Sequence, residues 1–184
     1  GETCAVFTED HRRVEPGSGE KGMLAVGGFN PVGYYKDEEK TAKTFPVIEG
    51  ERWCIPGDWA LVNDDGTLEI LGRGSQCINT GGEKVFPEEV EEALRRHDAV
   101  RDVAVTGLPD PRWGERICAV VELMPGADNP GDETLVGWVR DQLADYKTPR
   151  SFLYVDSVGR APNGKLDYAA IKQRALDAEA EAAA

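Results

Sequence analysis

The sequence predicts an α+β fold in two parts, a β-rich segment at residues 1–72 and a small α+β domain at residues 77–184. Before residue 72, short apolar runs alternate with clusters of Gly, Pro, Asn and Asp, as in β-strands joined by turns. After it, helical periodicity alternates with apolar runs of strand length. The glycine-containing residues 73–76 lie between the two parts, where composition alone fits a hinge and an ordinary linker equally well.

The β-rich segment is predicted from four short apolar runs, at residues 4–8, 23–26, 59–62 and 67–71. The last two runs flank Asn63-Asp64-Asp65-Gly66, whose residues tolerate left-handed backbone, so we expect a hairpin there. A short helix is predicted at residues 37–45, because Asp37 can accept hydrogen bonds from the free N–H groups of a helix start.

The α+β domain is predicted from three helical patterns and three strand patterns. Its first helix opens with Pro87, which suits a first helical turn, and acidic residues follow near the positive end of the helix dipole. The helices are expected at residues 87–94, 132–144 and 167–181, the last with a fraying end, and the strands at residues 103–106, 117–123 and 151–155.

Composition narrows the classes of function. A chain that is 40% hydrophobic and 30% charged has the balance of a protein that folds around a core. A net charge of −13 would repel a phosphate backbone, so nucleic-acid binding is not expected. A single nucleotide remains compatible with this charge, because it needs only a few local donors.

Targeting and cysteine patterns give further expectations. The sequence has neither the roughly 18 consecutive apolar residues of a membrane span nor a signal-peptide pattern, so a cytoplasmic location without a transmembrane segment is expected. The four cysteines form no C-x-x-C pair, and the two histidines are distant from them in sequence. We therefore expect no metal site and no disulfide framework.

Residues 54–94 contain the first candidate site. Asp58 follows Pro56-Gly57, and its ionised carboxylate can accept hydrogen bonds from two neighbouring hydroxyl groups. Arg73 stays charged and presents several donors in a fixed arrangement. The Gly81-Gly82 pair would let the backbone pass close to a ligand. Taken singly, each also fits a solvated turn residue or a surface charge.

In this order and spacing, the motifs resemble the C-terminal part of the adenylate-forming superfamily: acyl-CoA synthetases, luciferases and peptide-synthetase adenylation domains. The resemblance implies that Asp58 binds the ribose hydroxyls of ATP, with Pro56 standing where the family has Thr. It also implies that Arg73 lies near the ribose and the phosphates. The turn that would line the tunnel for the pantetheine arm of CoA consists of Gly81, Gly82, Glu83 and Lys84.

The resemblance also has consequences for the fold. It implies a small C-terminal domain with a central, mainly antiparallel sheet flanked by helices, preceded by the end of a large AMP-binding N-terminal domain. The hinge would lie at residues 73–76. Ser75 stands where the family usually has Asp or Lys, and Gln76 follows where an acid is common, so the sequence departs from the family at this point.

The second motif, Arg160-Ala161-Pro162-Asn163-Gly164-Lys165, resembles the R-x-x-x-G-K element near the end of the same family. Its lysine enters the active site during adenylation, which makes Lys165 the candidate catalytic residue. Adenylation brings a carboxylate against a phosphate, and an ammonium group would stabilise the negative charge that develops there. Without the first motif, an exposed turn ending in an ordinary lysine would explain these residues.

Two further features bear on the branch of the family. Asn79 stands where luciferases and peptide-synthetase domains have lysine, which favours CoA ligases, and residues 78–84 resemble actinobacterial fatty-acid or steroid side-chain CoA ligases. The segment with Gly33-Tyr34, Thr41 and Phe45 resembles a family motif whose role is architectural.

The implied activity is that of an acid:CoA ligase, which forms an acyl-adenylate from ATP and then an acyl-CoA thioester, on fatty acids or related carboxylic acids. The family's phosphate loop and magnesium-associated glutamate are absent from these residues, so the chain is expected to be part of a longer enzyme, inactive alone, with Mg²⁺ bound elsewhere. Two alternatives remain open: a noncatalytic lid that contacts nucleotides, and an enzyme that loads a carrier-protein thiol. The identity of the acid and the oligomeric state are not predicted, and peripheral membrane contact of the parent enzyme is compatible with the sequence.

Overall fold

The computed structural model describes residues 3–182. The chain forms two compact units, which divide in sequence between Ser75 and Gln76. Within the described residues, no helix has the length and apolar character that crossing a bilayer requires. No group of three or more His, Cys, Asp or Glu side chains is placed to hold a metal ion in this part of the chain.

The first unit is built mainly of strands. Four of them form an antiparallel sheet in the order β1-β2-β5-β6, while β3 and β4 pair only with each other. The predicted strands and the hairpin around residues 63–66 are confirmed, and the β3–β4 pair was not predicted. The elements are β1 Cys4–Phe7, β2 Gly22–Val26, α1 Glu38–Thr44, β3 Val47–Ile48, β4 Glu51–Arg52, β5 Asp58–Val62 and β6 Leu68–Arg73.

Helix α1 begins after the predicted cap Asp37 and is further stabilised by hydrogen bonds of Thr41. Asp37 accepts a hydrogen bond from the Lys40 N–H at 2.9 Å, which confirms it as the helix cap. The Thr41 hydroxyl accepts from the Tyr34 N–H at 2.8 Å and donates to the Asp37 carbonyl at 2.6 Å. A Cβ at Gly33 would lie 2.5 Å from the Thr41 methyl group, so this close approach requires glycine.

The second unit combines strands and helices around one mixed sheet. Strand β10 is central: it pairs antiparallel with β9 and β7 and parallel with β11. The mainly antiparallel sheet flanked by helices is therefore confirmed. The elements are β7 Ile78–Thr80, β8 Glu83–Val85, α2 Pro87–Arg95, β9 Val100–Asp110, β10 Gly114–Leu123, α3 Asp132–Arg140, β11 Ser151–Val155 and α4 Tyr168–Ala182.

Apolar clusters cover both faces of this sheet, because successive strand residues point to opposite sides. One cluster joins α2 and α3 to the sheet through Val90, Leu94, Val103, Val105, Ile117, Ala119, Val121, Leu135 and Val139. The other cluster joins α4 to the opposite face through Ala104, Leu108, Cys118, Val120, Ile171 and Ala175. The helices thus hold the central strands on both sides.

Several predicted boundaries were wrong. Strand β9 covers Val100–Asp110 rather than residues 103–106, because its ladder with β10 continues to both ends of the strand. Helix α3 ends at Arg140 rather than at residue 144, since the chain tightens there and the Gln142 N–H bonds to the Val139 carbonyl at 3.1 Å. Helix α4 continues to Ala182, and the last two residues of the expected fraying end lie outside the described residues.

The four cysteines, all within residues 3–182, form no disulfide, and they differ in exposure. Cys4 is exposed, Cys54 and Cys77 are partly buried, and Cys118 is buried in the central strand β10. Burial raises the pKa of the Cys118 thiol, because a thiolate is costly in apolar surroundings.

Candidate functional site

Asp58 and Arg73 face each other across the β5–β6 hairpin, in which they are paired residues. The Arg73 Nε lies 3.1 Å from Asp58 Oδ1. The Asp58 side chain is 27% exposed and that of Arg73 is 62% exposed, so both charged groups are open to solvent. Two candidates that are 15 residues apart in sequence are therefore brought together by strand pairing.

The predicted hinge residues follow directly. Gly74–Gln76 form one 3₁₀ turn, which contains Ser75 and Gln76. The Gly74 N–H donates to the Gly57 carbonyl at 2.9 Å. A Cβ at Gly74 would lie 2.5 Å from the indole nitrogen of Trp59, so glycine is required for this approach. The residue before Asp58 and the residue after Arg73 are thus also in contact.

The Gly81-Gly82 pair forms the turn of the β7–β8 hairpin. Both residues have left-handed backbone, with φ of 60° and 88°, which glycine adopts without steric cost. The Gly81 N–H donates to the Trp113 carbonyl at 2.9 Å, and a Cβ at Gly81 would lie 3.0 Å from the Trp113 ring. A Cβ at Gly82 would meet no atom within 4 Å, so this side of the turn is open.

The other two predicted tunnel residues begin strand β8. Glu83 is exposed and pairs with Thr80, whereas Lys84 is partly buried and pairs with Asn79. All four residues from Gly81 to Lys84 therefore belong to the small hairpin.

Two residues that the sequence reasoning missed support this hairpin. Two guanidinium groups contact the Trp113 ring, with Arg112 at 4.6 Å and Arg150 at 4.9 Å from its centroid. The Glu115 carboxylate accepts from the Asn79 N–H at 3.0 Å and pairs with Lys172 of α4 at 3.1 Å. One signal could have identified them, a Trp-Gly-Glu run at the start of an apolar strand.

Lys165 lies at the end of a tight turn between β11 and α4. The Gly164 N–H donates to the Ala161 carbonyl at 2.8 Å, and the Ala161 N–H donates to the Lys165 carbonyl at 2.9 Å. The Lys165 N–H donates to Asn163 Oδ1 at 3.1 Å. The Lys165 backbone is thus fixed by its neighbours, while the residue itself is exposed.

The Arg160 side chain connects this turn to strand β9. Its Nε and Nη2 donate to the two carboxylate oxygens of Asp102, at 2.8 and 2.9 Å. Its Nη1 donates to the Gly164 carbonyl at 2.9 Å. Partial burial acts to raise the pKa of Asp102, but the hydrogen bonds from Arg160 and the Val103 N–H outweigh it and hold that pKa below its usual value.

A buried carboxylate, that of Glu91, lies where α4 begins. Glu91 of α2 is only 3% exposed, and its Oε1 accepts from the Val105 N–H at 2.9 Å and from the Tyr168 hydroxyl at 3.0 Å. Burial raises the pKa of Glu91, against the opposing effect of these hydrogen bonds and of Arg95. The sequence reasoning missed Glu91, since an acid in the first two turns of a helix is ordinarily exposed.

The structure thus places the predicted residues in separate groups. Asp58, Arg73 and Ser75 belong to the first unit. In the second unit, Gly81-Gly82 lie in the β7–β8 hairpin and Lys165 lies in the loop before α4. Glu115 contacts the hairpin through Asn79 and helix α4 through Lys172.

Comparison with known proteins bears on these groups. Residues 89–165 match the family described as the AMP-binding enzyme C-terminal domain, and the match ends on Lys165. The chain is 53% identical, over 169 residues, to a Mycobacterium tuberculosis protein named medium/long-chain-fatty-acid–CoA/3-oxocholest-4-en-26-oate–CoA ligase. This alignment covers 92% of the chain and 31% of that relative, so the chain spans about a third of the relative's length.

Two solved structures of related enzymes are similar to the chain over most of its length. An amide bond synthetase from Marinactinospora thermotolerans is similar with a TM-score of 0.80 and 32% identity, over 93% of the chain and 34% of that protein. The o-succinylbenzoate CoA synthetase from Bacillus subtilis, in complex with its acyl-adenylate intermediate, is similar with a TM-score of 0.79 and 30% identity, over 92% and 34% of the two chains. Residues 89–165 therefore form an AMP-binding enzyme C-terminal domain, and over more than nine-tenths of its length the chain is similar to acyl-CoA ligases and other adenylating enzymes.

Proposed function

We propose that this chain is the C-terminal portion of an ATP-dependent acid:CoA ligase, which forms an acyl-adenylate and then an acyl-CoA thioester. The observation that carries the proposal is the 53% identity to a protein named as a CoA ligase, over 92% of the chain. We propose fatty acids or related carboxylic acids as substrates, because that relative's name includes medium- and long-chain fatty acids and a steroid acid.

In the first half-reaction, Lys165 stabilises the charge that develops as the acid attacks the α-phosphate of ATP and pyrophosphate leaves. Its exposed position, on a turn whose backbone is fixed, supports this role. A preorganised cation placed where negative charge develops lowers the barrier without reorganisation during the reaction.

The Asp58–Arg73 pair fits a nucleotide. The Asp58 carboxylate can accept from the two ribose hydroxyls, and the more exposed Arg73 guanidinium can donate to phosphate oxygens. Their 3.1 Å contact lets each orient the other before a nucleotide binds. We propose that the Mg²⁺ that accompanies ATP is held by the part of the enzyme that these residues do not include.

In the second half-reaction, CoA attacks the acyl-adenylate and AMP leaves. We propose that residues 73–76, with Ser75 and Gln76, form a hinge for a rotation between the two steps, because a hinge consists of a few loop residues that absorb large changes of backbone angles. The division of the chain between Ser75 and Gln76 supports this position. Gly81, Gly82, Glu83 and Lys84 then line the path of pantetheine, and the open space beside Gly82 supports that assignment.

Cellular location and partners follow from the same proposal. We place the enzyme in the cytoplasm, where ATP and CoA are available to it. Its partners are the acid, ATP or AMP, and CoA. A carrier-protein thiol as acceptor and a noncatalytic lid are less well supported, because the named relative with 53% identity is a CoA ligase.

A crossed pair of half-reaction assays on the full-length ligase tests the proposal. Lys165→Ala is expected to slow adenylation by about 10² to 10³, the usual loss on removing one preorganised charge-stabilising donor. Thioester formation from supplied acyl-adenylate should then be retained. Gly82→Leu should have the opposite effect, because its side chain would obstruct pantetheine and leave the acid and ATP untouched.

Gly82→Ala is the matched control, because it imposes the same left-handed backbone strain without the bulk. If Gly82→Ala slowed thioester formation as much as Gly82→Leu, strain would explain the loss and the tunnel assignment would be wrong. Damage to the same half-reaction by Lys165→Ala and Gly82→Leu would contradict the use of two different surfaces. The purified 184-residue chain should release no pyrophosphate from ATP and a fatty acid.

A further inference from the structure

Strand β9 and the loop that carries Lys165 are joined by carboxylates. In the described sheet β9 pairs only with β10, so the N–H groups on its other side need different acceptors. Asp102 accepts from the Val103 N–H at 2.8 Å, and Glu91 accepts from the Val105 N–H at 2.9 Å. These carboxylates also bind Arg160 and Tyr168, which lie on either side of Lys165 in sequence.

The Arg160 side chain binds both Asp102 and the turn that precedes Lys165. Its guanidinium forms a two-point contact with Asp102 and uses its remaining nitrogen on the Gly164 carbonyl, directly before Lys165. Arg160 and Asp102 side chains are 32% and 18% exposed, so the contact is partly protected from water. A lysine at position 160 could not make these three directed hydrogen bonds, because its ammonium group is a single point.

The charges of the two groups suit a permanent contact. Hydrogen bonding to Asp102 raises the pKa of Arg160, and the pKa of Asp102 is below its usual value. Both groups therefore stay ionised at neutral pH, and the bridge persists under the conditions in which a ligase works.

We infer that Asp102 and Arg160 are positioning residues for adenylation: they hold the turn at Gly164 so that the Lys165 ammonium arrives at the reacting phosphate already oriented. This inference rests on the proposed role of Lys165. Neither Asp102 nor Arg160 contacts the substrate in this role, and both affect adenylation only by orienting Lys165.

The experiment measures both half-reactions of the full-length ligase for Arg160→Met and Asp102→Asn. Each is expected to lower the adenylation rate constant by about tenfold to hundredfold, the scale of loss when a reacting group is misplaced by about 1 Å. Thioester formation from supplied acyl-adenylate should change less than twofold. The double variant should lose no more than the worse single variant, because both substitutions remove one contact.

A Lys165→Ala background separates positioning from general stability. There, Arg160→Met should cause no further loss of adenylation, since the group that it positions is gone. If it lowered adenylation again by tenfold, or slowed both half-reactions equally, the inference would be wrong. If Arg160→Met does not fold, Arg160→Lys is measured in its place. It keeps the positive charge but cannot contact both Asp102 and the Gly164 carbonyl in the same way, so adenylation should again be slowed and thioester formation retained.

Arg101→Met is the matched control. Arg101 lines the same surface cleft as Arg160 and pairs with Glu122 at 3.2 Å, but it is 58% exposed. It should leave both half-reactions unchanged, and an equal loss in this variant would contradict a specific role for Arg160.

If Lys165→Ala itself did not slow adenylation, the proposed function of Lys165 would fail. If Lys165→Ala slowed adenylation but Arg160→Met did not, the positioning inference would be wrong and the proposed function of Lys165 would stand.

Discussion

At the scale of single residues, the ion pair between Asp58 and Arg73 contributes little to the free energy of unfolding. Both side chains are partly exposed, and exposed ion pairs contribute roughly 0–1 kcal/mol. A carboxylate and a guanidinium that are solvated and held 3.1 Å apart can rearrange around a ligand at small cost. The pair therefore fits nucleotide binding better than it fits a structural role.

Replacement of Asp58 by Ala in the full-length ligase should weaken ATP and AMP binding by the same factor, because both nucleotides carry the same ribose. A lost hydrogen bond to a charged group costs roughly 1.5–3 kcal/mol, which is about tenfold to a hundredfold in affinity. Isothermal titration calorimetry with each nucleotide measures the two factors.

Glu69→Ala is the control for this prediction, because Glu69 is an exposed carboxylate on β6, the strand that pairs with β5 in the same hairpin. It should leave both affinities unchanged. An AMP affinity that survives Asp58→Ala would show that Asp58 is a solvated turn residue, whereas a loss for ATP alone would indicate contact with the outer phosphates.

At the scale of elements, Glu91 joins three parts of the second unit. It projects from α2, completes the hydrogen bonding of β9 at Val105, and accepts the hydroxyl of Tyr168 at the first residue of α4. Because the carboxyl is buried, its ionisation is disfavoured and its pKa is raised in the folded protein. Burial therefore favours the protonated carboxyl, although the hydrogen bonds from Val105 and Tyr168 favour the ionised form.

The expected consequence is a specific pH dependence of stability. A raised folded pKa means that the contribution of Glu91 is fully present below its ordinary pKa, near 4.5, and is lost as pH rises through the folded value. Glu91→Gln keeps an acceptor oxygen but cannot ionise. The free energy of unfolding of the native chain, minus that of Glu91→Gln, should therefore fall as pH rises from about 4.5 towards 7.

Urea unfolding of the purified chain at a series of pH values measures this difference, in which most other titrations cancel. Glu92→Gln removes a carboxylate from the exposed side of the same helix and serves as the control. A difference that stays flat or rises with pH would show that the hydrogen bonds and Arg95 favour the ionised form at least as strongly as burial opposes it.

Local sequence patterns predicted most elements because the signals were themselves local. The Asn63–Gly66 turn and the Pro87 helix start depend on neighbouring residues only. The β7–β8 hairpin was missed although Gly81-Gly82 is a recognised two-residue turn signal, since its three-residue strands show no apolar alternation of their own.

The candidate residues were found by motif, but their surroundings could not be. Asp102 and Arg160 are 58 residues apart, and nothing in the periodicity of β9 indicates that one of its acids will bind a distant arginine. Glu91 was equally hidden, because a helix wheel treats an acid as exposed. Contacts of this kind follow from the tertiary pairing of β9, β10 and β11, which no local pattern specifies.

At the scale of the whole molecule, each unit has a core of its own. In the first unit, the Phe7 and Trp53 rings meet edge to face at 5.4 Å within an apolar cluster. In the second, helices cover both faces of the sheet, so the middle of the central strand β10 is buried. Each unit can thus have its own opening equilibrium, as cooperative substructures of proteins commonly do.

The graded burial of the cysteines makes those equilibria measurable by chemical modification. Iodoacetamide should alkylate Cys4 at the rate of a free thiol, whereas Cys118 should react only in molecules whose second unit has opened, slower by a factor of about 10³ or more. Peptide mapping by mass spectrometry separates the sites, and Cys118→Ser verifies the assignment. Rapid alkylation of Cys118 in native buffer would contradict its enclosure in β10. The partly buried Cys54 reports on the first unit in the same sample, so the protein contains natural probes for comparing the stabilities of its two halves without any attached label.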